Sequence, residues 1–153
     1  MGKAFVVFTG VLALGVGSAG AINFGLGRVA DEIQQSPGFA AGWSRAERHP
    51  ALLEAMGQPS LAPFSIKEFV TGRQRWDFTA SVTETMETGE KGLRSVRSER
   101  NEILVPIFGP SGRGQLTIHA AETPGKGWSA TKLEAKIDGR GEPLDLLGSP
   151  APP

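Results

Sequence analysis

Two histidines, His49 and His119, are the side chains of this 153-residue chain best suited to acid–base or metal chemistry. Their settings argue against both uses. His49 immediately precedes Pro50 at the start of an apolar segment, which is the place of a helix cap. His119 alternates with Ile118 and Ala120 in a period-two pattern, so it faces solvent or a partner. No HxH or HxxxH spacing supports a metal site, and the absence of cysteine removes thiolate nucleophiles, disulfides and Cys-based metal sites together. No nucleophile elbow is present. Gly109-Pro110-Ser111-Gly112-Arg113-Gly114 resembles a phosphate-binding loop only in its glycines. It lacks the GK[ST] ending and leads into a strand pattern, so its backbone amides would not converge on an anion. A hairpin turn accounts for it. The sequence therefore predicts no enzyme, no cofactor and no metal.

Charge is balanced, with 16 Lys and Arg against 16 Asp and Glu. Nothing here builds the one-signed field that phosphate recognition needs, so nucleic acid is not an expected partner. If a turn centres between Glu90 and Lys91, Glu87 faces Arg94 and Glu84 faces Arg97 across a hairpin. Such pairs fix strand register and contribute only a fraction of a kcal/mol each.

The elements that position these groups read as α+β. Ser36-Pro37 and His49-Pro50 are two helix starts, while Gly57 and Pro59 form a stop. One helix, or two joined near Pro50, is predicted over about residues 37–56, with Ala51, Leu52, Leu53, Ala55 and Met56 as its apolar face. Strand signals follow: first at Phe64, Ile66 and Phe69, then over 75–88, 93–108, 115–121 and 128–137. Asp138-Gly139 is read as a two-residue hairpin leading into 143–147. An antiparallel meander covered on one face by the helix is the expected architecture. Within it, Gly57 supplies a positive φ, Pro106 implies a strand edge or bulge, and Trp128 buries a ring under the helix.

Ahead of this domain lie 24 uncharged positions, Ala4 to Gly27, against the roughly 20 needed to cross a bilayer. The sequence predicts a transmembrane helix over residues 1–28, a linker or helix extension over 29–44, the soluble domain over 45–148 and a disordered tail over 149–153. Lys3 favours an N-inside orientation. The rival is a cleaved secretory signal with Ala19-Gly20-Ala21 as its A-x-A site, although apolar character continues past it through Ile22, Phe24 and Leu26. Ala13, Gly17, Ala21 and Gly25 recur every four residues, a spacing that lets a second helix approach closely, whether from another copy or a larger membrane protein.

One run carries a family likeness. His49-Pro50-Ala51-Leu52-Leu53-Glu54-Ala55-Met56-Gly57-Gln58-Pro59 resembles the helix-and-stop of the cytochrome oxidase assembly protein 1 family. Val105-Pro106-Ile107-Phe108-Gly109-Pro110-Ser111-Gly112, Gly127-Trp128 and the closing segment 133–147 follow in the family's order. The likeness covers about residues 1–28 and 45–147, and Lys67–Arg100 falls outside its pattern. It marks Pro50, Gly57, Pro59, Pro106, Gly109 and Trp128 as fold-defining rather than catalytic. It implies a domain similar to inner-membrane translocase subunit 21 and a non-enzymatic, membrane-anchored factor for assembling respiratory complexes. Without thiolates or a Met/His cluster, the expected service is holding partner protein rather than copper. Respiratory-complex subunits or assembly intermediates would then be the partners. A bacterial plasma membrane with a periplasmic domain fits better than the mitochondrial inner membrane, because no Arg-rich presequence is visible. The alternatives are an accessory subunit of a respiratory complex, and a periplasmic or secreted ligand-binding module.

Overall fold

A computed structural model describes residues 8–13 and 28–148. Its helical layer begins with α1, residues 28–35, whose Ala30 and Ile33 lie three apart on one face and are buried. Ser36 separates α1 from α2 (Pro37–Ala46). Its hydroxyl donates to the Ile33 carbonyl at 2.7 Å and accepts from Phe39 N–H at 3.3 Å, closing one helix and capping the next. Pro37 occupies the first turn, where its missing N–H does no harm. His49 caps α3 (Pro50–Met56) through Nδ1, which accepts from Ala51 N–H at 3.2 Å. Gly57 ends that helix with φ +78°. Two helices, not one, thus cover the predicted span. The segment 29–44 is not a linker: Ala30, Ile33 and Phe39 belong to the core, so the folded unit reaches back before residue 45.

The sheet, among the described residues, has seven strands and every pairing is antiparallel. These are β1 (Phe8–Ala13), β2 (Ser60–Leu61), β3 (Asp77–Gly89), β4 (Gly92–Gly109), β5 (Gly112–Thr123), β6 (Gly127–Ile137) and β7 (Leu144–Asp145). They run in the order β1-β3-β4-β5-β6-β7, with β2 pairing beside β3 on the same edge of β4. The α+β meander under helices is therefore present. The β3–β4 turn falls where the charge pattern puts it, with Glu84 opposite Arg97 and Glu87 opposite Arg94. The ion contacts run differently: Arg97 reaches Glu99 along its own strand at 2.9 Å, and Glu84 accepts from Ser95 Oγ.

Two local expectations are corrected. The apolar residues Ile66 and Phe69 form α4 (Ile66–Val70), not a strand. Ser65 and Glu68 carry the S-x-x-E pattern of a helix start, and the Ser65 hydroxyl accepts from Glu68 N–H at 3.4 Å. Asp138-Gly139 does make a turn, closed by Arg140 N–H donating to the Ile137 carbonyl at 3.0 Å. The chain does not return at once, because Asp138 N–H is committed to the Arg113 carbonyl, and β7 pairs only with Glu134 and Ala135.

The core lies between the helices and one sheet face: Ile103, Val105 and Ile107 of β4; Leu116, Ile118 and Ala120 of β5; Leu133, Ala135 and Ile137 of β6. Gly42 of α2 sits so close to the sheet that a Cβ there would overlap the Ile118 side chain, and Gly38 likewise approaches Asn101. On β6 the core residues change parity. His119 pairs with Lys132 but Ala120 pairs with Ala130, which leaves Thr131 as the extra residue of a β-bulge. In a regular strand of these residues Trp128 and Leu133, five apart, would point to opposite faces; the bulge lets both pack on the core.

Of the predicted span, Phe8–Ala13 is a strand on β3, from Phe8 opposite Glu84 to Ala13 opposite Thr79. The outer edge of β3 offers unpaired backbone groups, and an uncharged segment satisfies them as readily in strand form. Residues 1–7, 14–27 and 149–153, with Gly17, Ala21, Gly25 and the tail, lie outside the described residues. Among the described residues no helix is long and apolar enough to cross a membrane.

Candidate functional site

The two histidines are kept apart by the sheet. Ile118 faces α2, so His119 projects from the opposite face, half-buried, with Glu102 on β4 and Lys132 on β6 as its register partners. His49 is buried on the helical side, with Nδ1 occupied as a cap acceptor and Nε2 without a hydrogen-bond partner. Among the described residues, no hydrogen bond joins either imidazole to a hydroxyl or carboxylate side chain. Among the described residues, no cluster of three or more His, Cys, Asp or Glu is placed to hold a metal ion. The Gly109–Gly112 turn closes a hairpin between β4 and β5, and its Ser111 N–H is taken by the Met56 carbonyl.

A cleft of about 740 Å³ opens at the end of the sheet where β2 meets β4. The connection from Ala62 to Gln74, including α4, forms one wall; Pro106 and Phe108 of β4 with Arg113 and Gln115 of β5 form the floor. Gln74, 4% exposed, ties the wall together. Its Oε1 accepts from Ser65 N–H at 3.1 Å and from the Trp76 indole at 3.2 Å, while its Nε2 donates to the Pro63 carbonyl at 2.8 Å. Arg113 approaches Glu68 across the mouth at 3.8 Å. The cleft is mixed in charge and can take an amphipathic ligand. Replacing Gln74 with leucine leaves two N–H donors and a carbonyl without this partner; we expect unfolding free energy to fall by about 2–4 kcal/mol, read by urea denaturation. A change below about 0.5 kcal/mol would contradict the clamp.

The third feature is a ribbon. Pairing between β4 and β5 starts at Arg100, so residues 92–99 of β4 have β3 on one side and no β5 partner on the other. This arm, flanked by β1 as far as Glu84 and two-stranded beyond it, extends past β5 by roughly 25 Å at about 3.3 Å per residue. Val82, Met86 and Val96 are half-buried along it and Leu93 is exposed near its tip. The arm lies within Lys67–Arg100. No protein-family model, curated protein or solved structure matches this chain.

The fold-defining residues nonetheless form a physical unit. Ser111 N–H donates to the Met56 carbonyl at 3.2 Å, and Gly109 packs so tightly on Met56 that its carbonyl would meet any Cβ. Pro110 lies against Gly57. The helix stop at 56–59 and the turn at 109–112 are thus two halves of one junction, with Pro59 buried in it. Pro50 starts α3, and Trp128 packs on the core beside the bulge. Pro106 lies inside the sheet, but its carbonyl accepts from Ala62 N–H at 3.1 Å. Its ring nitrogen therefore points to the side where β3 pairing has ended at Leu104 and β2 pairing begins at Ile107. That gap is a local edge, and no ladder bond is lost. Sequence reasoning missed the cleft and the ribbon overhang, since both depend on where neighbouring strands stop.

Proposed function

We propose that this protein is a membrane-anchored, non-enzymatic scaffold that holds partner protein during assembly of respiratory complexes of the cytochrome oxidase type. The observation that carries the reading is the β3–β4 ribbon, which presents two strand faces and an edge beyond the packed core. Such a surface recognises protein by backbone pairing and side-chain contact, without a reaction centre. Support also comes from the 24-residue uncharged stretch and the order of motifs that resembles the oxidase assembly family. In this reading the span crosses a bacterial plasma membrane, or a mitochondrial inner membrane, and the α+β domain lies on the far side. Ala13, Gly17, Ala21 and Gly25 form the helix face that packs on a partner span or a second copy. An accessory subunit of the complex itself is the nearest variant.

The test is gentle detergent pull-down from membranes with partners identified by mass. Oxidase subunits should co-purify, and Gly17→Leu with Ala21→Leu should lower their recovery at least threefold. Equal recovery would remove the helix face from the reading, and recovery of no respiratory subunit would overturn the reading itself. The cleft at Gln74 favours one other possibility, a secreted ligand-binding module released by cleavage. A soluble mature product beginning near Ile22 would decide for it.

A further inference from the structure

The two edges of the sheet are built differently. The outer edge of β6 is guarded: it carries Lys132 and Lys136, is bent by the Thr131 bulge, and is partly covered by β7. Those are the usual devices that stop a strand edge from pairing with another chain. β3 has neither lysine nor bulge. Over Asp77–Gly89 it contains no lysine, no proline and no register shift against β4, and four of its thirteen residues are threonine. Its segment Thr79–Glu84 is instead occupied by Phe8–Ala13, an uncharged six-residue stretch in unbroken antiparallel register.

That occupancy excludes membrane insertion. With Phe8–Ala13 on β3, the uncharged residues that follow, 14–27, number 14, well short of the roughly 20 a span requires. Conversely, a span from Ala4 to Gly27 takes Phe8–Ala13 into the bilayer as helix and strips them from β3. We infer that the Thr79–Glu84 edge of β3 is a strand-acceptor site, closed by the chain's own Phe8–Ala13 outside a membrane and opened by anchoring, whose partner is an extended, uncharged membrane segment of another protein before its insertion. The occupant on the page fixes the chemistry of that partner, because the edge already accepts a segment of this type. The inference rests on the anchored-scaffold reading and deepens it by naming what the scaffold holds.

The cysteine-free sequence makes the exchange directly measurable. Gly10 and Val82 are opposed Cα partners, so the full-length Gly10→Cys/Val82→Cys protein should form an internal disulfide on mild oxidation in water. The out-of-register pair Gly10→Cys/Thr88→Cys should yield at least fivefold less. Inserted in phosphatidylcholine vesicles and recovered by flotation, the in-register protein should lose at least four-fifths of that yield. Val82→Cys alone should then capture the peptide Phe-Thr-Cys-Val-Leu-Ala, and capture Phe-Thr-Cys-Lys-Leu-Lys at least fivefold less well. Failure to float would overturn the anchored reading and, with it, the exchange. Flotation with an undiminished internal disulfide would overturn the exchange while leaving the anchor intact. A missing disulfide in water, no peptide capture in vesicles, or equal capture of the lysine peptide would each overturn the acceptor site.

Discussion

Replacing Gly42 with alanine is expected to lower the unfolding free energy by about 2 kcal/mol, although helix propensity alone favours the change by about 1 kcal/mol. The sign is set by what the new methyl meets. It would overlap Ile118, with Cδ1 and Cγ1 both at 2.9 Å and Cγ2 closer still. Ile118 is fully buried in the middle of β5 and branched at Cβ, so it has little rotamer freedom with which to retreat. The helix must therefore lift off the sheet, and lifting it loosens the contacts of Phe39 and Ala46 as well. Leucine at position 42 should cost about 3 kcal/mol or more, enough to unfold a marginal domain. Urea denaturation of Gly42→Ala, Ile118→Ala and the double variant gives the decisive comparison. Ile118→Ala alone should cost about 2–5 kcal/mol by leaving a cavity. The double variant should be more stable than the sum of the two by about 1 kcal/mol or more, because the space emptied at Ile118 receives the Gly42 methyl. Strict additivity would mean that α2 does not rest on Ile118.

Local chemistry was readable because its causes are local. Ser36 and His49 cap, Pro37 and Pro50 start, and Gly57 stops, each through bonds to residues within four positions. The β3–β4 register was legible from its turn and its charges together, since a two-residue turn at Glu90-Lys91 sets Glu84 opposite Arg97 and Glu87 opposite Arg94. Side-chain choice was not: Arg97 takes Glu99 on the open surface, where several pairings lie within a fraction of a kcal/mol. The α4 start was legible in principle from Ser65 and Glu68 but was outweighed by the aromatic and branched residues around it. Gly38 and Gly42 carry no local signal, because the residues they accommodate, Asn101 and Ile118, come from other elements far along the chain. The candidate sites were the least legible part. The ribbon exists because β5 stops pairing at Arg100, and the acceptor edge because β3 has no neighbour of its own in the meander. The segment that fills that edge reads by its own composition as a span, since uncharged apolar residues suit a bilayer and a strand edge alike.

Deleting Thr131 should leave β6 folded in the same register, whereas truncating the core residue two positions on should not. Along β6, Leu133, Ala135 and Ile137 meet the core at odd positions, whereas Trp128 packs on it at an even one. A regular strand through all of these residues cannot satisfy both, because side chains alternate with a period of two. The bulge absorbs one residue and reconciles them. Removing that residue joins Ala130 directly to Lys132, so that Ala120–Ala130 and His119–Lys132 become successive pairs of a regular ladder. Trp128 and Leu133 then stay on the core face. What is lost is the bend of the bulge and the hydroxyl that donates to the His119 carbonyl at 3.2 Å, so the deletion should cost about 1 kcal/mol or less. Thr131→Val removes only that hydroxyl and should cost no more. Leu133→Ala, by contrast, empties a fully buried site opposite Ile118 and should cost about 2–5 kcal/mol. Urea denaturation ranks the three variants. The emission of Trp128, taken as the difference from Trp128→Phe, should be unshifted and equally shielded from acrylamide in the Thr131 deletion. A deletion that lost about 3 kcal/mol and exposed Trp128 would show that the bulge residue itself, and not the register it reconciles, holds the ring in place.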